Sequence, residues 1–148
     1  MWFHIVDDEP ELREILRALV IAEGYKPASF KSAEAYMGFF TSPQYIKPVA
    51  VITDNRMSGM NGIALARWIR KRASLQRIVI ATATLADVDM VKSELCYELP
   101  KPFKYEQFKT MLRGLVECAE IHGDDSTCFK DGICNFGLEH QCPFFIPD

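Results

Sequence analysis

The sequence has no apolar run that approaches the roughly 20 residues a membrane-spanning helix needs. Its N-terminus also lacks the basic start, long apolar stretch and small-residue cleavage site of a secretory signal. Positive charge is not in excess, because 17 Lys and Arg stand against 20 Asp and Glu, for a net charge of −3. We therefore expect a cytoplasmic protein that neither enters the membrane nor binds nucleic acid through bulk positive charge.

The sequence has five cysteines, an odd number that argues against a fully paired disulfide framework. In a reducing compartment they are expected to be thiols, metal ligands or redox-active groups rather than a structural disulfide set. A chain of 148 residues that is 49% hydrophobic fits one globular domain with a small appendage. This composition argues against wholesale disorder.

Short apolar runs rich in β-branched residues lie at residues 3–6, 49–52 and 78–81. They show no polar alternation, which is typical of strands covered on both faces of a parallel sheet. Two weaker strands are predicted at residues 25–30 and 96–99.

Helical patterns separate these strands. Pro10 suits a first helical turn and Gly24 suits a stop, and the residues between them form one apolar stripe: Leu12, Ile15, Leu16, Leu19 and Val20. The same spacing recurs over residues 108–116, and shorter helices are predicted at 32–40, 61–71 and 86–95. The alternation of strand and helix predicts a doubly wound α/β fold with an open parallel sheet and helices on both faces.

Polar residues follow the predicted strands at the edge where such sheets carry their chemistry. They are Asp7, Asp8, Asp54, Thr82 and Lys101. Three carboxylates brought together repel one another, so the cluster calls for a hard divalent cation such as Mg²⁺. A hydroxyl donor and a lysine beside them suit a phosphoryl group, and the set predicts a phosphoryl-transfer site.

These residues resemble the motifs of the receiver domain of two-component response regulators, over Met1 to about Glu120. The segment Val6-Asp7-Asp8-Glu9 is similar to the family's acidic start, and residues 54–62 to its phosphoacceptor loop. Thr82-Ala83 is similar to the switch threonine, and Lys101-Pro102-Phe103 to the lysine motif. The resemblance implies a flavodoxin-like sheet of five strands in the order 2-1-3-4-5, with five helices and a cis Lys101–Pro102 bond.

The resemblance also implies a role for each residue. Asp54 would accept a phosphoryl group from the phosphohistidine of a sensor histidine kinase or phosphotransfer protein. Asp8 and Asp54 would bind Mg²⁺ directly, Asp7 would act through water, and the backbone carbonyl of Arg56 would complete the protein ligands. Lys101 and Thr82 would contact the phosphoryl group. The phosphorylated form would then change its affinity for a downstream protein partner.

The sequence departs from the family pattern in three places. Ser58 stands where the family usually has proline, so the loop after Asp54 is expected to be less stiff. The segment between Thr82 and Lys101 is a few residues short, which implies a trimmed fourth helix or flanking loop. Glu98 occupies the position of the usual switch aromatic. Either that coupling is absent, or the adjacent Tyr97 takes its place through a shifted register.

The composition changes after the last predicted helix. We expect a receiver domain at residues 1–121 and a Cys- and aromatic-rich extension at 122–148, which is too short for a helix-turn-helix module. No direct nucleic-acid contact is therefore expected. A second metal site for Zn²⁺, or alternatively for an iron–sulfur cluster, is predicted from Cys118, Cys128, Cys134 and Cys142, with His122 or His140 as alternates. Thiols without metal, or redox cysteines, are the alternative.

Two other functions compete with a phosphoacceptor switch. One is a metal- or redox-sensing module that uses the receiver only as a scaffold, as the cysteine density suggests. The other is an aspartyl-phosphate phosphatase of the haloacid-dehalogenase type. That class needs a second Asp two residues after its nucleophile, where this sequence has Arg56. We therefore expect no conventional enzyme.

Overall fold

A computed structural model describes residues 1–84, 86–88 and 95–123 of the chain. Five parallel strands form one sheet in the order β2-β1-β3-β4-β5. The strands are β1 (Trp2–Val6), β2 (Lys26–Phe30), β3 (Ala50–Asp54), β4 (Arg77–Thr82) and β5 (Tyr97–Pro100). All five predicted strands are confirmed within two residues at each end, and so is the 2-1-3-4-5 order.

Four helices lie in the described part of the chain: α1 (Pro10–Ala22), α2 (Ala33–Phe40), α3 (Gly62–Arg72) and α4 (Tyr105–His122). The side chains of Ser32 and Asn61 accept hydrogen bonds from the backbone N–H groups of Ala35 and Ala64, and so cap α2 and α3. Pro10 opens α1, where its missing N–H costs nothing. The helix predicted at 86–95 falls largely outside the described residues, of which 86–88 form one 3₁₀ turn.

The core has two layers, one on each face of the sheet. One layer joins strand residues such as Phe3, Ile5 and Ile52 to α1 and α4. The other joins Val6, Val51 and Ile80 to α2 and α3. Neighbouring strand residues fall in different layers because successive side chains point to opposite faces. Both faces are therefore buried, which explains the unbroken apolar runs of the sequence.

The first layer also contains Cys96, which is 7% exposed and packs as a small apolar residue. None of the helices in the described part of the chain combines the length and the apolar content that a membrane-spanning segment requires.

The parallel register aligns the carboxyl ends of the strands at one edge. Val6 pairs with Thr53, Asp54 with Ala81, and Thr82 with Pro100. The residues that end β3 and β4, and those that directly follow β1 and β5, therefore lie side by side, which places the predicted polar residues at one edge of the sheet.

Candidate functional site at the carboxyl edge of the sheet

Three carboxylates meet at this edge. Asp7 and Asp8 follow β1, and Asp54 is the last residue of β3. One carboxylate oxygen from each lies within 4.8 Å of the others, a spacing that a single metal ion can bridge. Asp7 and Asp54 are buried and Asp8 is partly exposed, so the cluster opens to solvent on the side of Asp8. The juxtaposition expected from the sequence is therefore present.

Lys101 enters the same cluster from the end of β5. Its Nζ lies 3.1 Å from Oδ1 of Asp54 and 3.9 Å from Oδ2 of Asp7. Its backbone N–H donates to the carbonyl of Thr82 at 2.9 Å, which holds the start of the β5–α4 loop against the end of β4. The Lys101–Pro102 bond is cis, as the resemblance implies.

Asp7 carries the electrostatic cost of this arrangement. Burial raises the pKa of its carboxyl from 3.8 to about 6, and the negative charge of Asp54 adds to the rise. A hydrogen bond from the backbone N–H of Glu9 and the positive charge of Lys101 oppose the shift. The positive charge of Lys101 does not fully offset the repulsion among the three carboxylates. The cluster therefore favours a bound cation, which would offset the rest.

Asp8 is held by the loop after β3. Its Oδ2 accepts hydrogen bonds from the backbone N–H of Ser58 at 3.1 Å and from the Ser58 hydroxyl at 3.2 Å. The same loop is held from α2, where Oε1 of Glu34 accepts from the N–H of Met60 at 2.8 Å. Sequence reasoning expected a less stiff loop at Ser58 and missed both contacts. Nothing local in the sequence signals them, since the partners lie 50 and 26 residues apart.

The backbone of Asp54 is closely packed against the start of α3. Gly62 donates its N–H to the carbonyl of Asn55 at 2.9 Å. A Cβ atom at Gly62 would run into the carbonyl oxygen of Asp54 and crowd the Cα of Asn55. The side chain of Asn55 in turn accepts from the N–H of Ile63 at 3.2 Å. Glycine is therefore required here by close backbone approach, which fixes the backbone of Asp54 relative to α3.

Thr82 is buried at the end of β4, and its hydroxyl is turned toward its own loop. Oγ1 accepts from the N–H of Thr84 at 3.1 Å and lies 3.3 Å from the Thr84 carbonyl. Of the two threonines, Thr82 is the one at the sheet edge.

The register of β5 separates Glu98 from Tyr97. Tyr97 packs against the layer formed with α1 and α4. Glu98 pairs with Ile80, whose side chain belongs to the opposite layer. By strand alternation Thr82 and Glu98 share that opposite face. A shifted register that would bring Tyr97 to the face of Thr82 is therefore not present in this structure.

Arg56 lies two residues after Asp54. Its guanidinium forms an ion pair with the carboxylate of Asp87, which follows β4 in the chain. Its Nε and Nη2 donate to Oδ2 of Asp87 at 3.1 and 2.9 Å. The side chain at the position where a haloacid-dehalogenase-type enzyme needs an acid is thus a cation in an ion pair. The ligand role of the Arg56 backbone carbonyl stays a prediction.

Of the predicted second metal site, only the Cys118 side chain lies in the described part of the chain. Its Sγ accepts from Nε of Arg77 at 3.2 Å, and Nη2 of Arg77 donates to the carbonyl of Gly123 at 2.8 Å. The other predicted ligands lie outside the described residues or have undescribed side chains: His122, Cys128, Cys134, His140 and Cys142. The Zn²⁺ or iron–sulfur site stays a prediction.

Comparison with known proteins gives the family. Residues 3–113 match the model of the response regulator receiver domain. The chain belongs to this family. It is 30% identical over 109 residues to the DNA-binding transcriptional regulator NtrC of Klebsiella pneumoniae, and 30% identical over 112 residues to the DNA-binding response regulator MtrA of Mycolicibacterium smegmatis. These alignments cover 70% and 74% of the chain but only 22% and 47% of the relatives. The chain therefore spans less than half of either protein.

Solved receiver structures have the same fold. A response regulator receiver domain protein from Clostridium thermocellum superposes with a TM-score of 0.73 at 20% identity, over 81% of this chain and 97% of that one. The response regulator TrrA from Thermotoga maritima, solved in complex with Mg²⁺-BeF, gives 0.68 at 28% identity over 77% and 97%. The receiver fold and the membership of a signalling family are thus both established for this chain.

Proposed function

We propose that Asp54 is the phosphoacceptor of a phosphorylation-dependent switch in a two-component phosphorelay. The observation that carries this proposal is the ion pair of 3.1 Å between Lys101 and Asp54, inside a cluster of three carboxylates. A buried carboxylate with one cation beside it, and two more carboxylates within metal-bridging distance, has the charge arrangement that phosphoryl transfer requires.

The residues present fit Mg²⁺, since the donors are carboxylate oxygens and the cluster carries excess negative charge. Asp8 and Asp54 would hold the ion directly, Asp7 through water, and Arg56 through its backbone carbonyl. When bound, Mg²⁺ would neutralise negative charge on the transferred phosphoryl oxygens.

In the proposed transfer, an oxygen of Asp54 attacks the phosphorus of a phosphohistidine, the phosphorus–nitrogen bond breaks, and the histidine ring leaves with the bonding electron pair. Lys101 passes from Asp54 to the phosphoryl group as a point charge. The Thr82 hydroxyl gives up its contact with Thr84 and donates to a phosphoryl oxygen, which moves the β4 loop with it. Water later hydrolyses the acyl phosphate of Asp54. Because the group that is phosphorylated and dephosphorylated belongs to the chain itself, the protein acts as a phosphoacceptor and not as an enzyme with a separate substrate.

We further propose that the donor is a sensor histidine kinase or phosphotransfer protein and that the output is altered affinity for a protein partner. In this proposal residues 1–121 form the receiver domain. The protein acts in the cytoplasm, and it makes no direct contact with nucleic acid. NtrC and MtrA are described as DNA-binding, but the alignments cover only part of each.

Labelling with a small acyl phosphate in the presence of Mg²⁺ tests the proposal. We expect wild-type protein to gain one phosphoryl group by intact mass, and Asp54→Asn and Asp54→Ala to gain none. Glu117→Gln, which changes an exposed carboxylate on α4, is the control and keeps the label. Undiminished labelling of both Asp54 variants would overturn the assignment.

A metal site in residues 118–142 is a second proposal, favoured by three cysteines that follow Cys118 within 24 residues. We expect metal analysis of anaerobically purified protein to find Zn²⁺ or iron, and a Cys128→Ser/Cys134→Ser variant to lose it. Absence of metal from the wild type, with unchanged stability of the variant, would remove this proposal.

A further inference from the structure

Ser58 contacts the exposed side of the acidic cluster. Its backbone N–H and its hydroxyl both bond the same atom, Oδ2 of Asp8, at 3.1 and 3.2 Å. One oxygen of Asp8 therefore has two donors from a single residue. Asp8 is the partly exposed member of the cluster, so repulsion from Asp7 and Asp54 would otherwise turn its side chain toward solvent.

The backbone of Ser58 is itself anchored. Gly59 follows with a φ of 78°, a left-handed conformation that glycine adopts without strain. The next residue, Met60, donates its N–H to Oε1 of Glu34 at 2.8 Å, and this bond lowers the pKa of the Glu34 carboxyl. The loop is thus tied to α2 on one side of Gly59 and to Asp8 on the other.

We propose that Ser58 is a positioning residue for the metal, an inference that rests on the proposed function of the cluster. By bonding Oδ2, Ser58 fixes the rotation of the Asp8 carboxylate and leaves Oδ1 to the ion. Residues that orient a ligand in this way contribute to metal affinity without touching the metal. Proline at position 58 would have neither the N–H nor the hydroxyl, so the contact belongs to serine or threonine.

The test compares Ser58→Ala, which removes the hydroxyl but keeps the N–H, with Ser58→Thr, which keeps both donors. Mg²⁺ affinity is measured by calorimetric titration and by the rise in unfolding temperature with added Mg²⁺. Labelling by a small acyl phosphate is measured as a function of Mg²⁺ concentration. Ser74→Ala, an exposed serine in the loop between α3 and β4, is the matched control.

We expect Ser58→Ala to weaken Mg²⁺ binding by about three- to tenfold, less than a buried ligand-orienting contact would give because Ser58 is exposed. The half-saturating Mg²⁺ concentration for labelling rises by the same factor, while the rate at saturating Mg²⁺ is unchanged. Ser58→Thr and Ser74→Ala match the wild type. A loss confined to the saturating rate would contradict the proposal.

The outcome is separable from that of the proposed function. If the wild type binds no Mg²⁺ and Asp8→Asn changes nothing, the metal site itself is wrong. If the wild type binds Mg²⁺, Asp8→Asn weakens it and Ser58→Ala binds as well as or better than wild type, only the positioning role is overturned.

Discussion

Lys101 and Asp54 form an ion pair of 3.1 Å between Nζ and Oδ1, although 47 residues separate them in the sequence. The lysine side chain is 19% exposed and that of Asp54 is 10% exposed. Lys101 also lies 3.9 Å from the Asp7 carboxylate. A metal ion would approach the same two carboxylates, so Lys101 and the metal compete for the same negative charge.

Lys101→Ala is expected to separate the two roles of the lysine. The rate of labelling by a small acyl phosphate at saturating Mg²⁺ falls by about 10²-fold, because a charge aimed at the transferred group is lost. Mg²⁺ affinity rises, because the competing cation is gone. Lys104→Ala, an exposed lysine three residues on, changes neither quantity. A drop in Mg²⁺ affinity in Lys101→Ala would contradict the competition.

Asp7→Asn is expected to stabilise the metal-free protein near pH 7.5. The raised pKa of about 6 means that the folded state loses stability from this group as the pH rises from about 4 to 6. Removing the charge should raise the free energy of unfolding by about 1–2 kcal/mol, after allowance for solvent at the pocket mouth.

Urea denaturation with and without Mg²⁺ measures this effect. Added Mg²⁺ should stabilise the wild type more than Asp7→Asn. The difference between their free energies of unfolding should therefore become smaller as Mg²⁺ binds. Glu117→Gln, which removes an exposed charge, should match the wild type. If the metal-free Asp7→Asn protein is less stable than the wild type, the negative charge of Asp7 does not destabilise the folded state, and the prediction is wrong.

His4 is expected to make the protein sensitive to mild acid. The ring is fully buried among Phe30, Tyr36, Phe39 and Tyr45, and its Nδ1 lies 2.9 Å from the Tyr36 hydroxyl. Burial lowers the pKa of His4 from 6.5 to about 4. The unfolded chain therefore binds an extra proton between these values. Stability from this group is complete above pH 6.5 and falls by about 2–3 kcal/mol as the pH approaches 4.

Urea denaturation from pH 4 to 7.5 in wild type and His4→Phe checks this prediction. The variant loses the bond to Tyr36 at every pH, but it keeps the other titrating groups. The wild type should therefore lose stability more steeply than the variant below pH 6.5. Parallel curves would show that His4 does not carry the effect.

Gly62→Ala is expected to destabilise the fold and slow labelling together. The new Cβ collides with the carbonyl of Asp54, so the backbone of β3 or α3 must shift, at a cost of about 1–3 kcal/mol. Gly38→Ala, in the middle of α2 with nothing within 4 Å of the new Cβ, should instead stabilise by about 0.5–1 kcal/mol. Thermal unfolding compares them, and equal effects of the two substitutions would contradict the close approach.

Much of the fold could be predicted because local pattern and tertiary position agree. The apolar runs at 3–6, 49–52 and 78–81 are strands because both faces are buried. The helices predicted at 32–40 and 61–71 are present as α2 and α3, each beginning directly after a residue whose side chain caps it. The strand order came from the resemblance to receiver domains, since a run of apolar residues does not say which strand it pairs with.

The sequence by itself determined which residues stand at the carboxyl ends of the strands, because a parallel sheet brings those ends to one edge. Only the tertiary structure decided which partner each polar group has. Lys101 forms an ion pair with Asp54, Ser58 and Arg56 donate hydrogen bonds to Asp8 and Asp87, and the Thr82 hydroxyl accepts one from the N–H of Thr84. The reason is physical. A side chain's hydrogen-bond partner depends on distances between segments far apart in the chain, and no local periodicity encodes those distances.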